Sequence, residues 1–208
     1  MCKFASLILG LLIITLSIAT AGTEILDTVY DSERLRPIPV KIHLPAADHH
    51  AAPVVLFSHG LGGSREGCAY LGKHWSNAGF AVVFIQHPGS DESVWRDVPV
   101  SERRKALESA AGPRQFRDRV RDVTAVLDQL HLWNTTAGHP LAESLNLGAI
   151  AMSGHSFGAV TTQALAGQRT GRRGKPRFAD DRLDAFILMS PSLPRRVAPE
   201  VAFGKIGK

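Results

Sequence analysis

The sequence predicts a three-layer α/β domain on a mostly parallel sheet, opened by an antiparallel hairpin. Three observations carry this. Residues 53–57, 80–85, 147–152 and 185–189 are continuous apolar runs of five or six residues, as in strands buried on both faces. Helical periodicity separates them. It is clearest over 113–131, where Phe116, Val120, Val123, Leu127 and Leu130 form one apolar stripe, with Pro113 suited to the first turn. Ahead of these lie two short β signals, 25–30 and 38–44. In the second, Ile38, Val40, Ile42 and Leu44 alternate with Pro39, Lys41 and His43. Strands alternating with helices are the pattern of a sheet covered on both faces.

The elements follow in chain order. Residues 1–21 carry Lys3, then an apolar run over 7–19, then Ala19-Thr20-Ala21. A basic start, a short apolar middle and a small-x-small end predict a secretory signal peptide, and so a secreted or periplasmic protein. The competing reading is a membrane anchor over 4–22, the one route by which membrane contact is expected. Residues 22–208 then form a single domain. The hairpin of 25–30 and 38–44 is expected at a sheet edge, where Pro37 and Pro39 are tolerated. A helix is expected from Ser64 to about Ala78, and another over 157–168. Residues 90–112 read as a polar insert carrying Trp95 and a charged S-E-R-R-K run at 101–105, a solvated face.

Composition agrees with a globular chain. Of 208 residues, 44% are hydrophobic and 21% charged, which excludes disordered, collagen-like and coiled-coil classes. The two cysteines, Cys2 and Cys68, are too few for a disulfide framework or a cysteine zinc cluster. Cys68 is expected to pack within the helix after residue 64. His49-His50 beside Asp48, and His43 on the polar strand face, read as solvated, so no metal is expected. The basic stretch 168–177 has no aromatic platform and reads as a loop, with no nucleic-acid partner expected. Asn134-Thr135-Thr136 is a glycosylation sequon.

Chemistry concentrates in two motifs. Gly154-His155-Ser156-Phe157-Gly158 follows a buried strand and opens a helix, the context in which a G-x-S-x-G serine sits on a strained turn as a nucleophile. The glycines let strand and helix approach, and the helix N-terminus adds partial positive charge. Ser58-His59-Gly60-Leu61-Gly62-Gly63 follows another buried strand. Acyl transfer needs two N–H donors aimed at the developing oxyanion. One comes from the residue after the nucleophile, Phe157; the other comes from such a glycine-rich loop, with Leu61 the best candidate. Gly60 and Gly62 are the loop glycines. A phosphate loop is disfavoured, because no G-K-[ST] follows.

With these residues in view, the chain resembles the α/β-hydrolase superfamily, in particular secreted platelet-activating-factor acetylhydrolase-like and dienelactone-hydrolase-like esterases. The matching stretches are S-H-G-L-G-G-S-R-E-G at 58–67, Q-H-P-G-S-D at 86–91, D-V-T-A-V-L-D-Q-L at 122–130 and G-H-S-F-G-A at 154–159, with R-P-I-P-V-K-I at 36–42. The resemblance implies carboxylic-ester hydrolysis on Ser156, a small-molecule or lipid-like ester substrate, an oxyanion hole of the Leu61 and Phe157 amides, and no cofactor.

The superfamily order is nucleophile, then acid, then histidine. All nine histidines here precede Ser156. Asp180, Asp181 and Asp184 precede the run at 185–189 rather than following a later strand. The chain is therefore expected to be an N-terminal fragment, with the last strands, acid and base beyond Lys208. Among upstream histidines, His155 points away from the serine hydroxyl, His59 braces the oxyanion loop, and His87 is the remaining candidate base, more readily read as loop packing or substrate contact. Asp91 is given a structural or rim role. The alternative is a non-catalytic scaffold of 208 residues.

Overall fold

In the computed structural model, which describes residues 22–46, 51–170, 175–176, 178–193, 198–204 and 206, the apolar runs become one six-stranded sheet. Its strands are β1 (Glu24–Asp31), β2 (Arg36–His43), β3 (Ala52–Ser58), β4 (Ala81–Ile85), β5 (Leu145–His155) and, after a two-residue ladder of β6 (Arg169–Thr170) and β7 (Lys175–Pro176), β8 (Ala185–Met189). The order is β1-β2-β4-β3-β5-β8. Strands β4, β3, β5 and β8 run parallel, and β2 is antiparallel to both of its neighbours.

Helices cover both faces. On one side α3 (Pro113–Thr135) and α4 (Phe157–Leu165) pack on the sheet. The predicted stripe on α3 is that contact: Val120, Val123, Leu127 and Leu130 are buried against Val54, Leu56, Val83 and Met152, with Phe116 partly buried beside them. On the other side α1 (Ala69–Asn77) brings Leu71 and Trp75 onto Val55, Phe57, Val82 and Phe84. Alternate residues of β3 thus face opposite layers, which is why its sequence is a continuous apolar run. Among the described residues, no helix is long and apolar enough to cross a membrane. The segment 1–21 and the His49-His50 pair lie outside the described residues, as do 171–174 and 177 of the basic stretch.

Several expectations need correction. The hairpin is not wholly at the edge: β1 is outermost and β2 lies inside. Pro37 and Pro39 are tolerated because β2 pairs with β4 only over Val40–His43, beyond both prolines. The helix expected from Ser64 starts at Ala69, because 64–67 form a turn closed by Gly67 N–H on the Ser64 carbonyl. Cys68 precedes the helix, in a left-handed conformation (φ 60°), and packs against the Val55–Phe84 cluster; burial pushes its thiol pKa up. His43 is buried, not solvated, edge-on to the Phe84 ring 5.6 Å away, and burial pushes its imidazole pKa down. β8 is half-exposed, since it is the outermost strand among the described residues. The polar insert folds into a single 3₁₀ turn (Glu92–Val94) and α2 (Val100–Ala110), whose outer face carries most of the charged run. The Asn134 amide clasps Leu145, donating to its carbonyl (3.0 Å) and accepting from its N–H (2.9 Å). Both polar ends of that sequon side chain are thereby engaged in joining α3 to β5.

Leu130 is fully buried and Leu132, on the same helix, is 55% exposed. Leu130→Ala is expected to lower unfolding free energy by about 2–5 kcal/mol, and Leu132→Ala by less than about 0.5 kcal/mol, measured by urea denaturation. Equal effects would contradict the packing of α3.

Candidate active site

The elbow is fixed by two close approaches. A Cβ on Gly154 would collide with the Gly158 carbonyl, and one on Gly158 would collide with the Ser58 carbonyl. The two glycines therefore let α4 leave β5 at once and press against the end of β3. Between them Ser156 adopts φ 53°, ψ −111°, a region a side-chain-bearing residue rarely occupies. Its N–H is held by the Met189 carbonyl at 2.9 Å, so β8 pins the turn from the other side. Ser156 is exposed, and among the described residues nothing hydrogen-bonds its Oγ.

The glycine-rich loop lies beside it. A Cβ on Gly60 would be 3.6 Å from Ser156 Cβ and 3.2 Å from His155 Nδ1. A cavity of about 280 Å³ opens between loop and elbow, lined by Phe57, His59, Leu61, Cys68 and Ser156 among others. The N–H groups of Leu61 and Phe157 make no hydrogen bond among the described residues. Two unpaired amides beside an exposed serine are what a developing oxyanion requires. A larger cavity of about 400 Å³, between the β1–β2 turn and α3, contains no histidine or cysteine.

The loop is braced from two directions. The polar insert supplies the first brace, which its sequence did not announce. Gly62, at φ +71°, donates its N–H to the Ser90 carbonyl (2.9 Å) and accepts from Trp95 Nε1 on its own carbonyl (2.7 Å). Asp91 is buried and structural: its carboxylate takes Gln86 Nε2 and Ser93 Oγ, and the next residue, Glu92, bonds the Gly63 carbonyl. Arg103 stacks over Trp95 at 5.3 Å.

The second brace is a buried polar network. Ser58 Oγ lies 2.9 Å from His87 Nε2, and His87 Nδ1 lies 3.0 Å from Asp122 Oδ2; all three residues are fully buried. Asp122 also takes Arg36 through Nε (2.7 Å) and a terminal nitrogen (2.9 Å), and Arg34 at 2.8 Å. Burial alone would raise the Asp122 carboxyl pKa, but the His87 and Arg36 hydrogen bonds hold it down at about 2. Burial, with Arg119 next, pushes His87 down to about 4. A neutral His87 facing an ionised Asp122 carries its proton on Nδ1, so Nε2 accepts from the Ser58 hydroxyl. Both ring nitrogens are thus committed, and His87 is unavailable to Ser156. The His59 imidazole is pushed down to about 2, by burial and then Arg119. Its Nε2 accepts the His87 backbone N–H (3.1 Å), and its Nδ1 lies 2.6 Å from the Gly60 carbonyl, so it braces the loop. His155 is exposed. Asp184 Oδ2 accepts the Ile150 N–H, and Asp180 pairs with Arg182.

Arg119 completes the cluster. It is fully buried on α3, donates two hydrogen bonds to the His59 carbonyl, and lies 4.7 Å over the Phe157 ring. The sequence held one signal for it: on a helical wheel Arg119 falls inside the apolar stripe, between Val126 and Leu130.

A profile of the family described as serine aminopeptidase, S33, matches residues 49–204. Platelet-activating factor acetylhydrolase of Cavia porcellus is 27% identical over 174 residues, covering 71% of this chain and 38% of that protein. The chain thus spans well under half of that curated relative. A dienelactone hydrolase-like promiscuous phosphotriesterase from metagenomic libraries superimposes with a TM-score of 0.58 at 18% identity, over 90% of this chain and 66% of the other. An esterase from an Arctic intertidal metagenomic library gives 0.54 at 17% identity, over 80% and 60%. These likenesses show an α/β-hydrolase fold.

The depressed histidines have a measurable consequence. Between about pH 6.5 and 4 the unfolded chain binds protons that folded His59 and His87 refuse, so stability falls as pH falls. Below that, stability contributed by ionised Asp122 is lost as pH drops from about 4 toward 2. Urea midpoints are expected to decline from pH 7 to 4.5, and His87→Gln to flatten that decline. A slope unchanged by His87→Gln would contradict the neutral assignment.

Proposed function

Since the chain belongs to the serine aminopeptidase, S33, family of hydrolases, we propose that it is a serine hydrolase cleaving carboxylic esters through an acyl-enzyme on Ser156. The observation that carries this reading is the strained, exposed Ser156 beside the unpaired Leu61 and Phe157 amides. Ser156 Oγ attacks the ester carbonyl carbon while its proton passes to a base. The carbonyl oxygen becomes an oxyanion between the two amides. Its collapse breaks the C–O bond, and the alcohol leaves with the proton. Water, deprotonated by the same base, then releases the acid and returns Ser156. The steps call on no metal or organic cofactor.

The base is the part this reading places elsewhere. His59 and His87 are committed to the braces, and the family order puts acid and base after the nucleophile. In this reading both are contributed by chain beyond residue 208. Export through residues 1–21 belongs to the same reading.

A fluorophosphonate probe on the full-length gene product is expected to label Ser156, with labelling and ester turnover abolished in Ser156→Ala. Residues 22–208 alone are expected to retain at most the roughly 1,000- to 10,000-fold over water that an oxyanion hole and binding supply. A folded full-length protein that resists labelling would overturn the proposal in favour of a non-catalytic scaffold. Ordinary turnover by residues 22–208 would overturn the placement of the base.

A further inference from the structure

We propose that Arg119 is a positioning residue that sets the two oxyanion donors in register with each other, an inference that rests on the serine-hydrolase reading above. The two donors come from segments far apart in sequence, Leu61 on the loop after β3 and Phe157 at the start of α4. Nothing covalent fixes their spacing, and an oxyanion hole works only when both amides converge on one point.

Arg119 comes from a third element and touches both segments, the loop through His59 and the start of α4 through Phe157. Its two terminal nitrogens converge on the His59 carbonyl, at 3.0 Å and 2.5 Å, two residues before Leu61. The same planar guanidinium lies 4.7 Å over the ring of Phe157, the residue that carries the other donor. A rigid flat cation with hydrogen bonds at one end and an aromatic contact on its face holds both partners at a fixed separation.

The electrostatic setting of Arg119 is unusual for a purely structural residue. A fully buried cation is ordinarily paired with a carboxylate, because desolvation is costly. Asp122, one turn along the same helix, is met by Arg34, Arg36 and His87 instead. Among the described residues no carboxylate lies within ion-pair distance of Arg119, and its Nε has no hydrogen-bond partner. Burial lowers its pKa to about 9, which leaves it charged at neutral pH. Positive charge is thus held, without a direct ion pair, against the His59 carbonyl of the loop and the ring of Phe157, whose own amide is one of the two donors. A lysine there would keep the charge but lose the two-pronged grip and the flat stacking surface.

The test uses the full-length gene product with an activated ester, and a trifluoromethyl ketone as transition-state analogue. Arg119→Met is expected to lower kcat on the order of 10- to 100-fold with KM changed less than about threefold, a fraction of what a lost oxyanion donor costs. The ketone's inhibition constant is expected to rise by a similar factor. Arg119→Lys should recover part of both. Reduced folding alone would lower the active fraction and leave the inhibition constant unmoved. Should Arg119→Met fail to fold, a cycle of Arg119→Lys and Phe157→Leu reads the same contact: the two losses in kcat are expected to be non-additive. Folded Arg119→Met with unchanged kcat and inhibition constant, or an additive cycle, would overturn the proposal. Loss of activity in Ser156→Ala alongside such a result would leave the serine-hydrolase reading standing, whereas full activity in Ser156→Ala would overturn that reading instead.

Discussion

A carboxylate with no access to water has to be met by donors on every side, and Asp122 is met by Arg34, Arg36 and His87. Much of the site's architecture hangs from that requirement. The arginines belong to the β1–β2 hairpin, the histidine to the loop after β4, and Asp122 to α3. Through His87 the chain of hydrogen bonds continues to Ser58, and through its backbone N–H to His59. Removing one partner from such a cluster leaves a buried charge or dipole unmet, which costs more than a single surface ion pair contributes. Ser58, His87 and Asp122 have the connectivity of a catalytic triad, but they are sealed from solvent and serve as a strut.

The elbow depends on a steric condition of the same severity. Gly158 touches the backbone of Ser58, so the strained serine and the glycine-rich loop are neighbours because α4 lies directly on the end of β3. The insert closes the arrangement from outside through Ser90, Asp91 and Trp95. Loop, elbow and insert thus form one rigid frame around a cavity open to solvent, as preorganised donors require.

The sheet was legible because its signal is local. Continuous apolar runs at β3, β4 and β8, and the stripe on α3, each mark an element within a few residues. The elbow was legible for the same reason: five residues between a strand and a helix contain the steric argument. The braces were not. Arg119 and Asp122 sit on a helix whose charged residues mostly face water, and only tertiary packing brings them to His59 and His87. His43 misled in the same way, since α1 covers a face that β2's alternation marks as polar. Residues 90–112 looked like surface because what grips the glycine-rich loop is the Ser90 carbonyl, the Glu92 backbone N–H and one indole N–H, and backbone groups leave no compositional trace.

The position of β3 bears on when the site exists during folding. Ser153 Oγ reaches the Leu56 carbonyl from 97 residues away, and Ser58 lies opposite Gly154 in the same strand pairing. Closing a loop of that length carries an entropic cost before any contact repays it, so such pairings form slowly. Each half depends on the other: the loop without α4 lacks one of the two free amides, and the elbow without β3 keeps its Met189 contact but loses the close approach of Gly158 to Ser58. The exposed serine and the free amides beside it therefore arise together, as products of the longest-range step in the assembly of the sheet.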